Sequence, residues 1–346
     1  MGRRAGTLSR PAFASPGAAT VLALLLAVAI PVAVLIGPYP MTLGQVLGVV
    51  ADRLTGTPAG GDTVDTVVFA IRLPRIGAAL LVGGALAAAG TCYQTLFRNP
   101  LVSPDILGVS AGAGLGAVLG IFLSLPVAAI QGMAFAGGLA CVALVAGVAA
   151  AVRGRDPVLV LVLAGVVVGA LAGAATSLLK VLADPYDQLP AITFWLLGSL
   201  AAIRTDDLTP ALPAVVLGLL PLVLLRWRIN VLALGDDEAR ALGVEVRRLR
   251  AGVILCATLI TASVVAIAGV VGWVGLVIPH VARMLVGPGF GRLLPVAVLL
   301  GALYMLVVDT LARTVGSTEV PLGILTAAIG APFFLWLLAR GRRSWS

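Results

Sequence analysis

The chain has 346 residues, 60% of them hydrophobic and only 11% charged, with 23 Lys and Arg against 15 Asp and Glu and a formal net charge of +8. Soluble domains carry roughly 25% charged residues, so this chain lacks the polar surface to face water on all sides, and a soluble globular domain is excluded. The basic excess would raise nucleic acid as a partner in a soluble protein; here the positions of the charges matter more than their sum, and no nucleic acid is expected.

Residues 1–17, with Arg3, Arg4 and Arg10, read as a cytoplasmic tail. The apolar run at 18–36 is longer than a signal-peptide core and no small-residue cleavage site comes after it, so it is expected to stay as a first helix. Further apolar runs that can cross a hydrocarbon core, which takes about 20 residues, lie at 67–96, 105–123, 127–151, 158–180, 208–226, 248–270, 272–286, 294–312 and 320–339. The expected fold is an all-α polytopic membrane protein of about ten transmembrane helices, one membrane domain over 18–340, with 341–346 as a second tail. The run at 272–286 is short and rich in glycine. A further apolar stretch at 191–203, after Asp184-Pro185-Tyr186, is expected as a short helix on the membrane surface.

Lys and Arg accumulate on the cytoplasmic side of membrane proteins. With ten crossings and the N-terminus inside, 17 of these residues fall inside and 6 outside, the outer set being Arg53, Arg72, Arg75, Lys180, Arg204 and Arg313. Both termini are therefore expected in the cytoplasm. Glycines recur four residues apart at Gly108, Gly112, Gly116 and Gly120, and again at Gly165, Gly169 and Gly173; this spacing lets helix backbones approach where lipid gives no hydrophobic drive. Cys92, Cys141 and Cys256 lie singly in apolar runs and read as small packing residues, with no disulfide or metal framework. His280 has no evident metal partners and reads as structural.

The most polar internal segment is Leu234-Gly235-Asp236-Asp237-Glu238-Ala239-Arg240-Ala241-Leu242-Gly243, within a cytoplasmic connection at 230–247. Acids at its start and Arg240 further along suit a short helix by its dipole, and glycines punctuate both ends. Such a helix is a solvated connection or a seat for a partner. Asp309 is a carboxylate inside an apolar run, four residues before Arg313, the spacing at which a helical pair forms. Pairing lowers the cost of burying the acid; a proton relay is the other reading.

The L-G-x-x-x-A-x-x-L-G pattern of residues 234–243 resembles the coupling segment of ATP-binding-cassette importer permeases for iron-siderophores, haem and cobalamin (FecCD-like, type II importers). Further matches occur in order: Arg72-Leu73-Pro74-Arg75, Asn99-Pro100-Leu101, Pro104-Asp105, Trp195, Gly198-Ser199, Gly272 to Arg283, and Glu319-Val320-Pro321-Leu322-Gly323. Trp273 stands where the family more often has phenylalanine. The resemblance covers roughly residues 70–335. It implies a transport subunit with no catalytic residues and no cofactor of its own, since ATP and magnesium belong to a separate ATPase subunit; the absence of a G-x-x-x-x-G-K-[ST] loop agrees.

The resemblance also implies roles. Leu234, Gly235, Asp236, Glu238, Ala239, Arg240, Leu242 and Gly243 would dock on the ATPase, with Asp236, Glu238 and Arg240 making the polar contact. Arg72, Arg75 and Arg313 would meet acids on an extracytoplasmic substrate-binding protein, although arginine at a membrane edge also snorkels to headgroups. Asn99, Pro100 and Leu101 would form the cytoplasmic gate, with Pro100 restricting Asn99. A second permease subunit, identical or similar, would complete the pathway in the bacterial inner membrane. The expected cargo is a ferric siderophore, with cobalamin or haem as alternatives. An ion-coupled secondary transporter is the rival from another class.

Overall fold

The computed structural model describes residues 17–56, 63–152, 157–316 and 318–340. The two expected tails lie outside these residues, Gly17 excepted. Described residues form helices and no strand. In chain order the first six are α1 (Gly17–Leu35), α2 (Leu43–Thr55), α3 (Thr63–Leu96), α4 (Val109–Phe122), α5 (Val127–Ala151) and α6 (Pro157–Leu182). Then come α7 (Gln188–Leu197), α8 (Thr205–Leu224), α9 (Arg226–Leu232), α10 (Asp236–Ala241) and α11 (Val246–Ala268). Last are α12 (Val274–Val286), α13 (Phe290–Ala312) and α14 (Leu322–Arg340). Seven of them, α1, α3, α5, α6, α8, α11 and α13, are long and apolar enough to cross a membrane. The other three expected spans are α4, α12 and α14, so every expected span is a helix. The protein is a multi-pass membrane protein.

α3 lies at the centre, packed against α11, α12 and α13. Its most apolar stretch is 83% buried, against 22% for the peripheral α1 and α8. Gly and Ala fill most of residues 77–90, and that is what permits the burial. A Cβ on Gly83 would overlap the Gly301 carbonyl of α13, and one on Gly90 the Gly275 carbonyl of α12. Helices meet this closely in a membrane through small residues. Near its start, α3 widens into a π-helical stretch, Thr66–Arg72, in which the Leu73 N–H donates to the Val68 carbonyl. Pro74 comes next and has no N–H to continue the ordinary ladder.

The glycine stripe of α4 packs as expected: Gly112 and Gly116 press on the α5 backbone at Gly137 and Met133. The stripe on α6 does so only in part. Gly165 meets the Ile106 carbonyl, while Gly173 has no atom within 4 Å of the position its Cβ would take.

The short apolar helix is where the structure corrects the sequence reading. α7 occupies 188–197 rather than 191–203, and it does not lie on the membrane surface. Gln188 Nε2 donates to the Phe122 carbonyl at one end of α4 (2.9 Å), and Leu196 reaches Gly114 in its middle. Between them Ile192 is fully buried against Val118. α7 therefore runs antiparallel to α4 for about 12 Å at 1.5 Å per residue and stops inside the bundle. Apolarity alone does not distinguish a surface helix from a half-span; the packing against α4 decides it.

α7 ends at Gly198, in the left-handed region (φ 73°). Two other breaks meet it there. The Leu322 N–H at the start of α14 donates to the Gly198 carbonyl (2.9 Å), and Ser199 N–H donates to the Ala268 carbonyl at the end of α11 (2.9 Å). The 269–273 link that starts α12 closes the junction: a Cβ on Gly269 would overlap the Trp195 carbonyl, and one on Gly323 would sit 2.6 Å from the Leu197 carbonyl. Backbone groups freed at these ends thus find partners in one another, as irregular backbone within a membrane must.

Backbone-to-backbone packing at α3 gives a stability prediction. Gly90→Val should lower the thermal midpoint in detergent by an amount corresponding to about 3 kcal/mol or more, the upper range for overpacking. Gly132→Ala, with nothing within 4 Å of its Cβ position, should leave it within about 0.5 kcal/mol. Equal melting of both variants would show that the close approach is not required.

Candidate functional site

Two polar constellations sit at opposite ends of α3. From Arg72 to Leu96 the helix rises about 36 Å at 1.5 Å per residue, enough to span a hydrocarbon core of about 30 Å. Whatever the orientation of the chain, the two ends face opposite sides of the membrane.

At the first end, α1, α3, α13 and the segment leading to α14 bring Arg72, Arg75, Arg313, Asp309 and Glu319 together. Asp309 is fully buried (0% exposed). Its Oδ1 accepts from Arg75 Nε at 2.8 Å, and its Oδ2 lies 3.7 Å from Arg313 Nε. Arg75 also pairs through Nη2 with Glu319. Arg313 Nη2 donates to the Ala33 carbonyl (2.7 Å), and Arg72 donates to the Val34 and Tyr39 carbonyls where α1 ends. Gly37 makes room for this: a Cβ there would sit 2.8 Å from Arg72 Nη2. The 309–313 pair is as expected, but the tighter partner of Asp309 is Arg75, from another helix. All three arginines are buried among protein groups in the single subunit, so they are not snorkelling to headgroups. Three guanidiniums face two carboxylates, which leaves one positive charge uncompensated.

At the second end, α3 closes with a tight turn. Asn99 Oδ1 accepts from the Leu101 N–H (2.9 Å), and the Asn99 N–H donates to the Gln94 carbonyl (3.1 Å). Pro100 is half-buried, and Asn99 and Leu101 are exposed. Gln94 Nε2 donates to the Leu276 carbonyl (3.0 Å) and ties α12 to this end.

Arg98 reaches across to the 234–243 segment, where a Cβ on Gly235 would lie 3.5 Å from Arg98 Nη1. There α10 is the expected helix, between Gly235 (φ 144°) and Gly243 (φ 77°). Ala239 is fully buried and anchors it, while Leu234 (63% exposed), Leu242 (54%), Glu238 and Arg240 face outward. The structure divides the expected polar contacts. Asp236 is held by Arg250 of α11, through Nη2 at 2.8 and 3.0 Å, and turns inward. Arg240 pairs with Asp237 at 2.7 Å. Arg250 was not visible as a partner from the sequence, since it stands on a different helix from Asp236 among several other arginines.

The fold is that of a multi-pass membrane protein in which one buried helix joins a buried polar cluster at one end to a short, exposed helix at the other. The chain belongs to the FecCD transport family, whose profile matches residues 24–340. It is 40% identical to the molybdate import system permease protein MolB of Haemophilus influenzae over 325 residues, 93% of this chain and 95% of that one. It is 43% identical to the cobalamin import system permease protein BtuC of Halobacterium salinarum, over 80% of this chain and 74% of that one. It is 43% identical to the Fe(3+) dicitrate transport system permease protein FecD of Escherichia coli, over 80% and 86% of the two chains. A solved structure of a transporter assigned to the metal-chelate ABC type, in an inward-facing conformation, superposes with a TM-score of 0.85 at 38% identity, covering 94% of this chain and all of that one.

The arginine–carboxylate cluster makes a second stability prediction. Asp309→Asn leaves Arg75 and Arg313 without their shared charge, and breaking a buried pair costs about 3–5 kcal/mol. Thermal unfolding in detergent should show that loss for Asp309→Asn, and a clearly smaller one for Glu319→Gln, whose carboxylate is partly exposed. Equal effects would remove Asp309 from the centre of the cluster.

Proposed function

We propose that this chain is the permease subunit of an importer for a metal chelate, a ferric siderophore first, working by alternating access in the bacterial inner membrane with both termini in the cytoplasm. The observation that carries the reading is the placement of two unlike polar sites at the two ends of one buried helix, in a chain of the FecCD transport family. Relatives that import molybdate, cobalamin and ferric dicitrate share the fold, so selectivity belongs to a separate binding protein that delivers the cargo. Cobalamin and haem fit the same route.

The uncompensated positive charge of the Arg72, Arg75 and Arg313 cluster supports docking of an acidic binding protein by attraction across this end of the subunit, the guanidiniums themselves being engaged within the subunit rather than free to fork onto a partner. Affinity for the binding protein should then weaken steadily as salt rises. On the far side an ATPase subunit, carrying ATP and magnesium, takes the exposed Leu234, Glu238, Arg240 and Leu242 into a cleft. Asp236 transmits the movement instead of touching the partner, because its bond to Arg250 ties α10 to α11. Asn99, Pro100 and Leu101, beside the same segment, form the gate. The exposed apolar faces of α6 and α14 suit a second permease subunit across the pathway. The secondary-transporter reading loses its one candidate acid, since Asp309 is occupied by Arg75.

Uptake of labelled ferric siderophore into vesicles containing this chain, its ATPase and its binding protein is the test. Glu238→Ala with Arg240→Ala should cut ATP-dependent uptake more than tenfold if these residues are interface hot spots of about 2 kcal/mol. Uptake of cobalamin, haem or molybdate instead would change the cargo and keep the mechanism. Transport driven by an ion gradient without the ATPase would overturn it.

A further inference from the structure

A groove of about 1490 Å³ opens between α5, the start of α6, and the α10–α11 corner. Its lining is sorted by chemistry along its length. On α5, Ala143, Ala146 and Ala150 are exposed into it at helical spacing, and these small side chains leave the space open. Across from them, Ile254 and Leu255 of α11 form the other wall, Leu255 being 65% exposed. All the charge is at one end: Arg240, Arg247, Arg248 and Arg250 against Asp236 and Glu245. Three of these arginines are matched, Arg250 to Asp236 (2.8 Å), Arg248 to Glu245 (2.8 Å) and Arg240 to Asp237 (2.7 Å). Among the described residues no carboxylate pairs with Arg247.

We propose that this groove binds an anionic phospholipid from the leaflet on the α10 side, with its phosphate against Arg247 and Arg248 and its acyl chains along α5 and α11. Length supports it. The apolar wall from Leu139 to Ala150 rises about 17 Å, which matches one leaflet's share of a hydrocarbon core of about 30 Å. Charge supports it as well, since the four guanidiniums meet three carboxylates, Asp236, Asp237 and Glu245, leaving Arg247 exposed without one, and guanidinium takes phosphate oxygens in a fork. Each arginine near a membrane surface favours an anionic lipid roughly fivefold. A soluble ATPase approaching the outward tips of α10 can meet the charged end, but an apolar wall as deep as a leaflet suits an acyl chain. The site is independent of which cargo the importer carries.

The test reads lipid retention directly. The full chain is placed in nanodiscs containing phosphatidylglycerol and phosphatidylcholine with the same acyl chains, released into mild detergent, and the lipids it keeps are counted by native mass spectrometry. The expected result is at least one retained phosphatidylglycerol per chain, preferred severalfold over phosphatidylcholine. Arg247→Gln with Arg248→Gln should bring that preference close to one. Ala146→Phe, at an exposed position that tolerates the larger ring, should reduce retention of either lipid at this site while leaving the thermal midpoint unchanged. Glycerol phosphate, which has the head but no chains, should not displace the lipid. Equal retention of both lipids by the unaltered chain, indifference to both variants, or displacement by glycerol phosphate would overturn the proposal. So would loss of the lipid when a second copy or the ATPase assembles onto the chain, because the groove would then be a protein contact.

Discussion

A helix enclosed on every side can be built only from residues that take up almost no room, and α3 is made to that constraint. Its middle is mostly glycine and alanine, and its neighbours approach to backbone contact at Gly83 and Gly90. Lipid is as apolar as leucine, so this close fit replaces the hydrophobic drive that would assemble the same bundle in water. Because α3 touches α11, α12 and α13 at once, its position fixes the frame on which both polar ends are mounted.

Those ends are built on different electrostatic principles. At one, charges are buried and mutually dependent: Asp309 has no solvent and relies on Arg75 and Arg313, while Arg72 is satisfied by carbonyls at the end of α1. Such an arrangement is costly to disturb and keeps an excess of positive charge in a fixed place. At the other, charges lie in pairs near water, at Arg240 with Asp237 and Arg248 with Glu245. Exposed pairs contribute little to stability and exchange partners at small cost, as suits a surface that must engage another protein. Asp236 with Arg250 lies between the two regimes and is the link from that surface into α11.

The long helices and their order were legible because each apolar run is long enough to decide its own structure. The α4 glycine stripe was legible for the same reason, being a local repeat whose partner surface only had to exist. The pairing of Asp309 with Arg313 was readable from helical spacing. What could not be read locally were the contacts between distant parts of the chain: Arg75 with Asp309, Arg250 with Asp236, and the seating of α7 along α4. Residue types at those positions carry the capacity to pair but no address for the partner. The segment at 191–203 misled for a related reason, since ten apolar residues suit a membrane surface and a protein interior equally well.

The junction at Gly198 has a consequence for how the chain is made. Its carbonyl is emplaced when α7 is synthesised, yet the N–H that satisfies it belongs to Leu322, which leaves the ribosome only as the last helix begins. A backbone group without a partner in hydrocarbon is costly, so the interior of the subunit cannot be finished in the order in which it is translated. Until α14 arrives, the Gly198 carbonyl is without the Leu322 N–H that satisfies it in the finished subunit. A chain interrupted before α14 would carry most of these spans and still lack this contact at the meeting point of α7 and α14.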